Sequence, residues 1–103
     1  MKVTIQSVKF DADRKLIEFV EQKIGRLDRF IERVTSAEVT LKLDKDHDLG
    51  NKVAVIRLAV PGEELLAEVR SRSFEEAVDL AIDAIKKQID KYKEKSVGEG
   101  RRG

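Results

Sequence analysis

Cysteine is absent from the 103 residues, which excludes a disulfide framework, a thiolate zinc site, a redox pair and a cysteine nucleophile. Tryptophan is also absent, proline and histidine occur once each, and aromatics make up 5% of the chain. One histidine without triad partners, and no glycine-rich phosphate loop after a strand, leave enzyme chemistry without support. The apolar runs are only a few residues long, too short to span a bilayer, and the first residues lack the apolar stretch of a secretory signal. The expectation is a soluble cytoplasmic protein with no cofactor, no membrane partner and no small-molecule substrate. The length is that of one domain, enough to fold without metal or disulfide staples.

What is present is charge. Charged residues are 40% of the chain and hydrophobic residues 41%, a mixture apolar enough to build a core. The formal net charge is only +1, but it is unevenly spread. Residues 1–85 carry 14 basic and 17 acidic side chains, and residues 86–103 carry 7 basic and 3 acidic ones.

Lys2 to Val8 alternates apolar and polar residues and reads as a first strand. Asp11 or Asp13 can cap a helix over Ala12 to Glu32, in which Leu16, Ile17, Val20, Ile24, Leu27 and Ile31 form one stripe. Gly25 sits inside that helix at a cost of about 1 kcal/mol relative to alanine. Ala37, Val39, Leu41 and Leu43 alternate with polar residues in the clearest strand of the chain. Val53 to Val60 follows as a third strand, Pro61-Gly62-Glu63 supplies a turn, and Leu65, Ala67 and Val69 return as a fourth. Ser73 and Glu76 have capping-box spacing ahead of Phe74, Val78, Ala81, Ile82, Ile85, Ile89 and Tyr92, which repeat with helical period. The glycines at 98, 100 and 103 point to a flexible basic tail over 96–103, leaving residues 1–95 as the single domain. This pattern predicts a two-layer α+β sandwich, β-α-β-β-β-α. Its four-stranded sheet has strands one and two parallel, and both helices pack on one face so that their stripes share a core.

The sequence can be tested for ligand chemistry. Asp44-Lys45-Asp46-His47-Asp48 resembles the start of a calcium loop, but Leu49 and Val55 stand where the glycine and bidentate glutamate are required. The sheet is no base-stacking platform, because Phe10, Phe19, Phe30, Phe74 and Tyr92 all fall outside the strands. Gly100-Arg101-Arg102-Gly103 matches the GXXG string of a KH clamp only at the end of the chain, not between helices. The remaining signal is helical. Arg26, Arg29 and Arg33 are spaced three and four apart on helix one, and Lys87, Lys91 and Lys95 four apart on helix two, with Lys86 and Lys93 on the other flank. These two basic ridges suit RNA phosphates. They also suit an ordinary solvated face, since acids at the start and lysines at the end of a helix favour its dipole, and Asp28, Glu32, Asp90 and Glu94 offer i,i+4 partners.

The element order and several motifs resemble the short ribosome hibernation-promoting factors, the family that includes the ribosome-associated inhibitor and proteins described as sigma-54 modulators. The likeness is clearest where Ser73-Phe74-Glu75-Glu76-Ala77-Val78-Asp79-Leu80-Ala81-Ile82-Asp83 leads into Ile85-Lys86-Lys87-Gln88-Ile89-Asp90-Lys91-Tyr92-Lys93-Glu94-Lys95. Phe19-Val20, Lys23-Ile24-x-Arg26-Leu27-x-Arg29-Phe30 and the hairpin around Pro61-Gly62 add to it, so that it covers about residues 1–95. The resemblance implies binding to the small ribosomal subunit over the mRNA channel and the A- and P-site tRNA positions, with silencing of translation in stationary phase or stress. It implies 16S rRNA phosphate contacts by Arg26, Arg29, Lys87, Lys91 and Lys95, with Arg33, Lys86, Arg101 and Arg102 secondary. The family often carries lysine where this chain has Ala84, and its long form adds a C-terminal dimerisation domain that is not expected here. Whether the protein promotes paired 100S ribosomes or occupies single ones stays open, as do two other readings: a protein-interaction regulator and an RNA-binding module that does not act on ribosomes.

One prediction follows from the loop chemistry alone. Calorimetric titration with calcium or zinc should show no stoichiometric site of micromolar affinity at Asp44 to Asp48.

Overall fold

The sheet owes its form to the alternation in its strands. The structure, a computed structural model, describes residues 1–30, 33–45 and 50–102, with side chains to residue 95. Strands β1 (Lys2–Val8), β2 (Ser36–Leu43), β3 (Lys52–Val60) and β4 (Glu63–Ser71) lie in the order β1-β2-β3-β4. β1 runs parallel to β2 with Lys2 beside Ser36, while β2, β3 and β4 form an antiparallel meander. Gly62, at φ +84, closes the β3–β4 turn in a conformation that suits a residue without a Cβ. Ala37, Val39 and Leu41, then Ala54, Ile56, Leu58 and Val60, then Leu65 and Ala67 are buried in one cluster with residues of both helices. Both helices therefore cover the same face, as the apolar stripes require.

The first helix is shorter than its periodicity predicts. α1 spans Arg14–Gly25, and Arg26–Arg29 continues as a 3₁₀ segment instead of α-helix to Glu32. Gly25 is the last α-helical residue, where a missing Cβ weakens the α preference, and Leu27 remains fully buried in the tighter winding. Ile31 and Glu32 lie outside the described residues, as do Asp46 to Leu49 with the lone His47. Asp13 caps α1, its Oδ1 accepting from the Leu16 N–H at 2.8 Å.

α2 spans Phe74–Arg102. Ser73 caps it as its spacing predicts, accepting from the Glu76 N–H at 3.1 Å. The other half of the capping box is diverted, because the Glu76 carboxylate accepts from the hydroxyl of the buried Ser71. The helix runs on through the residues read from the sequence as a tail, since adding a residue to an existing helix needs no new nucleus. Phe10 stacks on Phe74 at 4.5 Å between ring centroids, tying the approach to α1 to the start of α2. No described helix is long and apolar enough to cross a membrane.

The opposite sheet face is closed at one end. Val53 lies between Lys42 and Arg70 in the register and is only 4% exposed. Arg70 reaches the Asp44 carboxylate at 2.9 Å and the Gly50 carbonyl at 3.4 Å, which pins the base of the β2–β3 loop. Gly50 packs so tightly on β4 that a Cβ there would stand 2.8 Å from the Ser71 carbonyl oxygen.

The same substitution should have opposite signs at two glycines. Gly25 is right-handed helical with nothing within 4 Å of a built Cβ, so Gly25→Ala should stabilise by about 0.4–1 kcal/mol. Gly50→Ala should destabilise by about 1–3 kcal/mol, because rigid backbone blocks the methyl group. Paired urea unfolding curves of the two variants check both signs.

Candidate nucleic-acid interface

Strand polarity decides where the basic residues meet. β1, β2 and β4 share one direction, and each helix returns against the strand before it, so α1 and α2 run the same way. Contacts between them keep step along the chain: Lys23 pairs with Asp79 at 3.3 Å, and farther along the Lys86 Nζ lies 4.9 Å from the centroid of the Phe30 ring. The end of the 3₁₀ segment and the later part of sheet-packed α2 thus approach the same pole.

Arg26 and Arg29 are both exposed and both in the 3₁₀ segment. At three residues per turn, side chains three apart eclipse, so the pair stands on one side of it. Arg33 is exposed but lies in the turn beyond, not on helix one as the spacing predicts. Lys86 is half-buried and turned toward the 3₁₀ segment. Between the two helices runs a groove of about 330 Å³ lined by Lys23, Arg26, Asp79, Ile82, Asp83 and Lys86. Ala84 is half-buried against the core.

The far flank of α2 leans on β4. The Gln88 side chain donates to the Leu66 carbonyl at 2.7 Å and accepts from the Leu66 N–H at 3.2 Å. The Tyr92 hydroxyl donates to the Pro61 carbonyl at 2.8 Å. These contacts carry α2 out over the β3–β4 turn, where Lys95 meets Glu63 at 3.8 Å. Residues four apart on an α-helix advance about 40° around its axis. The ridge of Lys87, Lys91 and Lys95 therefore winds from the solvent side toward β4, while Lys86 faces α1. Six of the seven cations singled out in the sequence form two groups on either side of α2: Arg26, Arg29 and Lys86 in one, and Lys87, Lys91 and Lys95 in the other; Arg33, in the turn beyond the 3₁₀ segment, joins neither. Arg101 and Arg102 lie beyond the described side chains.

Intramolecular neutralisation is sparse. Among the described residues, the only ion pair at helical i,i+4 spacing is Arg14 with Glu18, far from this pole. No described carboxylate comes within 4 Å of Arg26, Arg29, Lys87 or Lys91, so the neighbouring acids do not hold these cations in pairs. What the arrangement offers is a set of cations, most of them without an ion-pair partner among the described residues, presented at one end of the sandwich and suited to a polyanion.

Comparison with known proteins agrees with this frame. A family model described as Sigma 54 modulation protein / S30EA ribosomal protein matches residues 3–97. The chain belongs to this family. Of its S30EA relatives, a ribosome hibernation promoting factor of Azotobacter vinelandii is 34% identical over 97 residues, which cover 94% of this chain and 87% of that one. A ribosome hibernation promotion factor of Deinococcus radiodurans is 37% identical over 78 residues, 74% of this chain but 40% of the longer relative. Among solved structures, a ribosomal subunit interface protein from Coxiella burnetii superposes with a TM-score of 0.81 at 22% identity, covering 90% of this chain and 98% of that one. The N-terminal domain of Protein Y from Thermus thermophilus superposes at 0.76 with 24% identity, covering 89% and 99%. These two likenesses establish the S30EA fold.

Sequence spacing missed the residues that aim the cations. Gln88 and Tyr92 read as polar and apolar members of a helix, and nothing local marks their bonds to Leu66 and Pro61, which are 22 and 31 residues away. Phe30 reads in the sequence as an aromatic outside the strands that ends the Lys23-Ile24-x-Arg26-Leu27-x-Arg29-Phe30 motif, and its position one residue after Arg29 and four after Arg26 is the available signal. Positioning and exposed residues should separate in stability. Gln88→Ala deletes two hydrogen bonds and should cost about 1–3 kcal/mol, whereas Lys91→Ala should stay within about 0.5 kcal/mol. Thermal unfolding in which Lys91→Ala proved the more damaging would mean the faces of α2 are misassigned.

Proposed function

We propose that this chain is a ribosome-associated hibernation factor, not an enzyme, and that residues 1–95 form its ribosome-binding unit. In this reading it occupies the small subunit over the mRNA channel and the A- and P-site tRNA positions. Occupancy there excludes mRNA and tRNA, and so inhibits translation in the cytoplasm of a stationary or stressed cell. The observation that carries the reading is the convergence at one pole of cations from the 3₁₀ segment and from α2, of which Arg26, Arg29, Lys87 and Lys91 have no ion-pair partner among the described residues. Family membership and the names of the relatives support the ribosome as target.

The mechanism requires little beyond placement. The sandwich holds two groups of cations on either side of α2, each able to pair with 16S rRNA phosphates. Arg26 and Arg29 present forked donors suited to phosphate oxygens, and Lys87, Lys91 and Lys95 act as point charges on flexible stems. Arg33 and Lys86 add secondary contacts. The Lys95–Glu63 pair is solvent-exposed, so exchanging Glu63 for a phosphate costs little.

The test is electrostatic and structural together. With about five phosphate contacts, association with purified small subunits should weaken with salt at a log-log slope of about −3.5 to −4.5. The variant with Lys87→Glu, Lys91→Glu and Lys95→Glu should keep its circular dichroism spectrum yet lose both co-sedimentation with small subunits and inhibition of cell-free translation. A folded triple variant that still co-sediments and inhibits would refute the site. Wild-type protein that never co-sediments, or that binds its cellular partner equally well after ribosomes are removed, would refute the function.

A further inference from the structure

Phe30 is out of place for a core residue. It is 38% exposed, while Phe10, Phe19 and Phe74 are buried or half-buried against the core. Its backbone is fixed, the N–H donating to the Leu27 carbonyl at 3.0 Å as the 3₁₀ segment ends. The Lys86 ammonium stands 4.9 Å from the ring centroid, and the exposed Arg26 and Arg29 precede Phe30 by four residues and one in the 3₁₀ segment that it ends. No described aromatic side chain stacks on it.

An exposed ring among cations discriminates between partners. An apolar protein surface that covered Phe30 would have to strip water from Arg26, Arg29 and Lys86 without giving them counter-charges, which is costly. A bare phosphate array satisfies the cations and leaves the ring in water. A nucleotide does both, because its base has a π-face for the ring and its phosphate lies within reach of the neighbouring cations. In a duplex the base faces are already stacked on one another, so only an unpaired base is available.

We propose that Phe30 is a base-stacking residue, and that the 3₁₀ segment with Lys86 binds an unpaired, unstacked RNA nucleotide rather than backbone charge alone. This rests on the reading of the same pole as an RNA-binding site and names the kind of RNA it takes. A base lies on the exposed part of the Phe30 ring, Lys86 polarises the ring and takes the adjoining phosphate, and Arg26 and Arg29 hold the phosphates that flank it. The segment thereby distinguishes single-stranded or bulged RNA from helical RNA of equal charge.

The chain has no tryptophan, so Phe30→Trp places a single indole at the proposed contact. Its fluorescence should be quenched saturably by a twelve-nucleotide single-stranded oligoribonucleotide, and little changed by a blunt RNA duplex or by polyphosphate. Equal responses to all three would overturn the proposal. In a complementary titration, Phe30→Leu keeps apolar volume without a ring. It should bind the single strand about five- to a hundredfold more weakly, with unchanged affinity for polyphosphate and an unchanged salt slope. Phe30→Tyr should restore single-strand binding, and matching melting curves of the three proteins separate a lost contact from a lost fold. Single-strand affinity of Phe30→Leu within twofold of wild type would overturn the proposal even if wild-type protein co-sediments with small subunits. Conversely, a Phe30-dependent preference for single strands in a protein that never co-sediments would sustain stacking while refuting the ribosomal reading.

Discussion

Everything at the basic pole depends on one packing constraint: a single sheet face must bury the apolar stripes of both helices. The two stripes share that face only because each helix returns across it from a strand of the same direction. Two helices that run alike carry the later residues of each toward one pole, and the arginines of the 3₁₀ segment and the lysines of α2 collect there. Charge segregation is in this sense a by-product of topology. The near-neutral total conceals it, because the acids are distributed over the rest of the chain.

α2 divides its surface among four tasks. One face, with Ile85 and Ile89 fully buried, belongs to the core. A flank leans on β4 through Gln88 and Tyr92, and the other flank places Lys86 against Phe30. The remaining solvent face carries Lys87 and Lys91. Polar bonds to β4 and to the turn that precedes it join apolar burial in setting where the lysines point, so groups that lie next to the basic ridge help to fix the direction of the helix.

Much of this was legible in the sequence because period and burial agree. The alternation through Val39 and Leu41, the turn at Pro61-Gly62 and the stripe from Phe74 to Tyr92 each admit one reading, and one sheet covered by two helices follows from them. The break after Gly25 was not legible: Leu27 lies inward in either an α- or a 3₁₀-winding, so the apolar period barely distinguishes them. The capping-box spacing of Ser73 and Glu76 correctly marks Ser73 as the cap, but not the turn of the Glu76 carboxylate to Ser71, which sits in the preceding strand and enters no capping rule. The basic residues were found by type and spacing, whereas their division into two groups depends on the slow rotation of i,i+4 positions around α2. The exposure of Phe30 depends on the end of a 3₁₀ segment that no residue pattern announced.

The bond between Gln88 and Leu66 has a consequence for the protein in a crowded solution. β4 is an edge strand, and a bare edge is a template on which another chain can add a strand. The side-chain amide of Gln88 is chemically a peptide group without its chain, and it fills both ladder positions of one β4 residue from above. A foreign strand pairing at Leu66 must first evict a group tethered to the same molecule. Near its middle that edge therefore offers a foreign strand no free groups at Leu66, and the charged side chains of Glu64, Glu68 and Arg70 flank the covered position along the same strand.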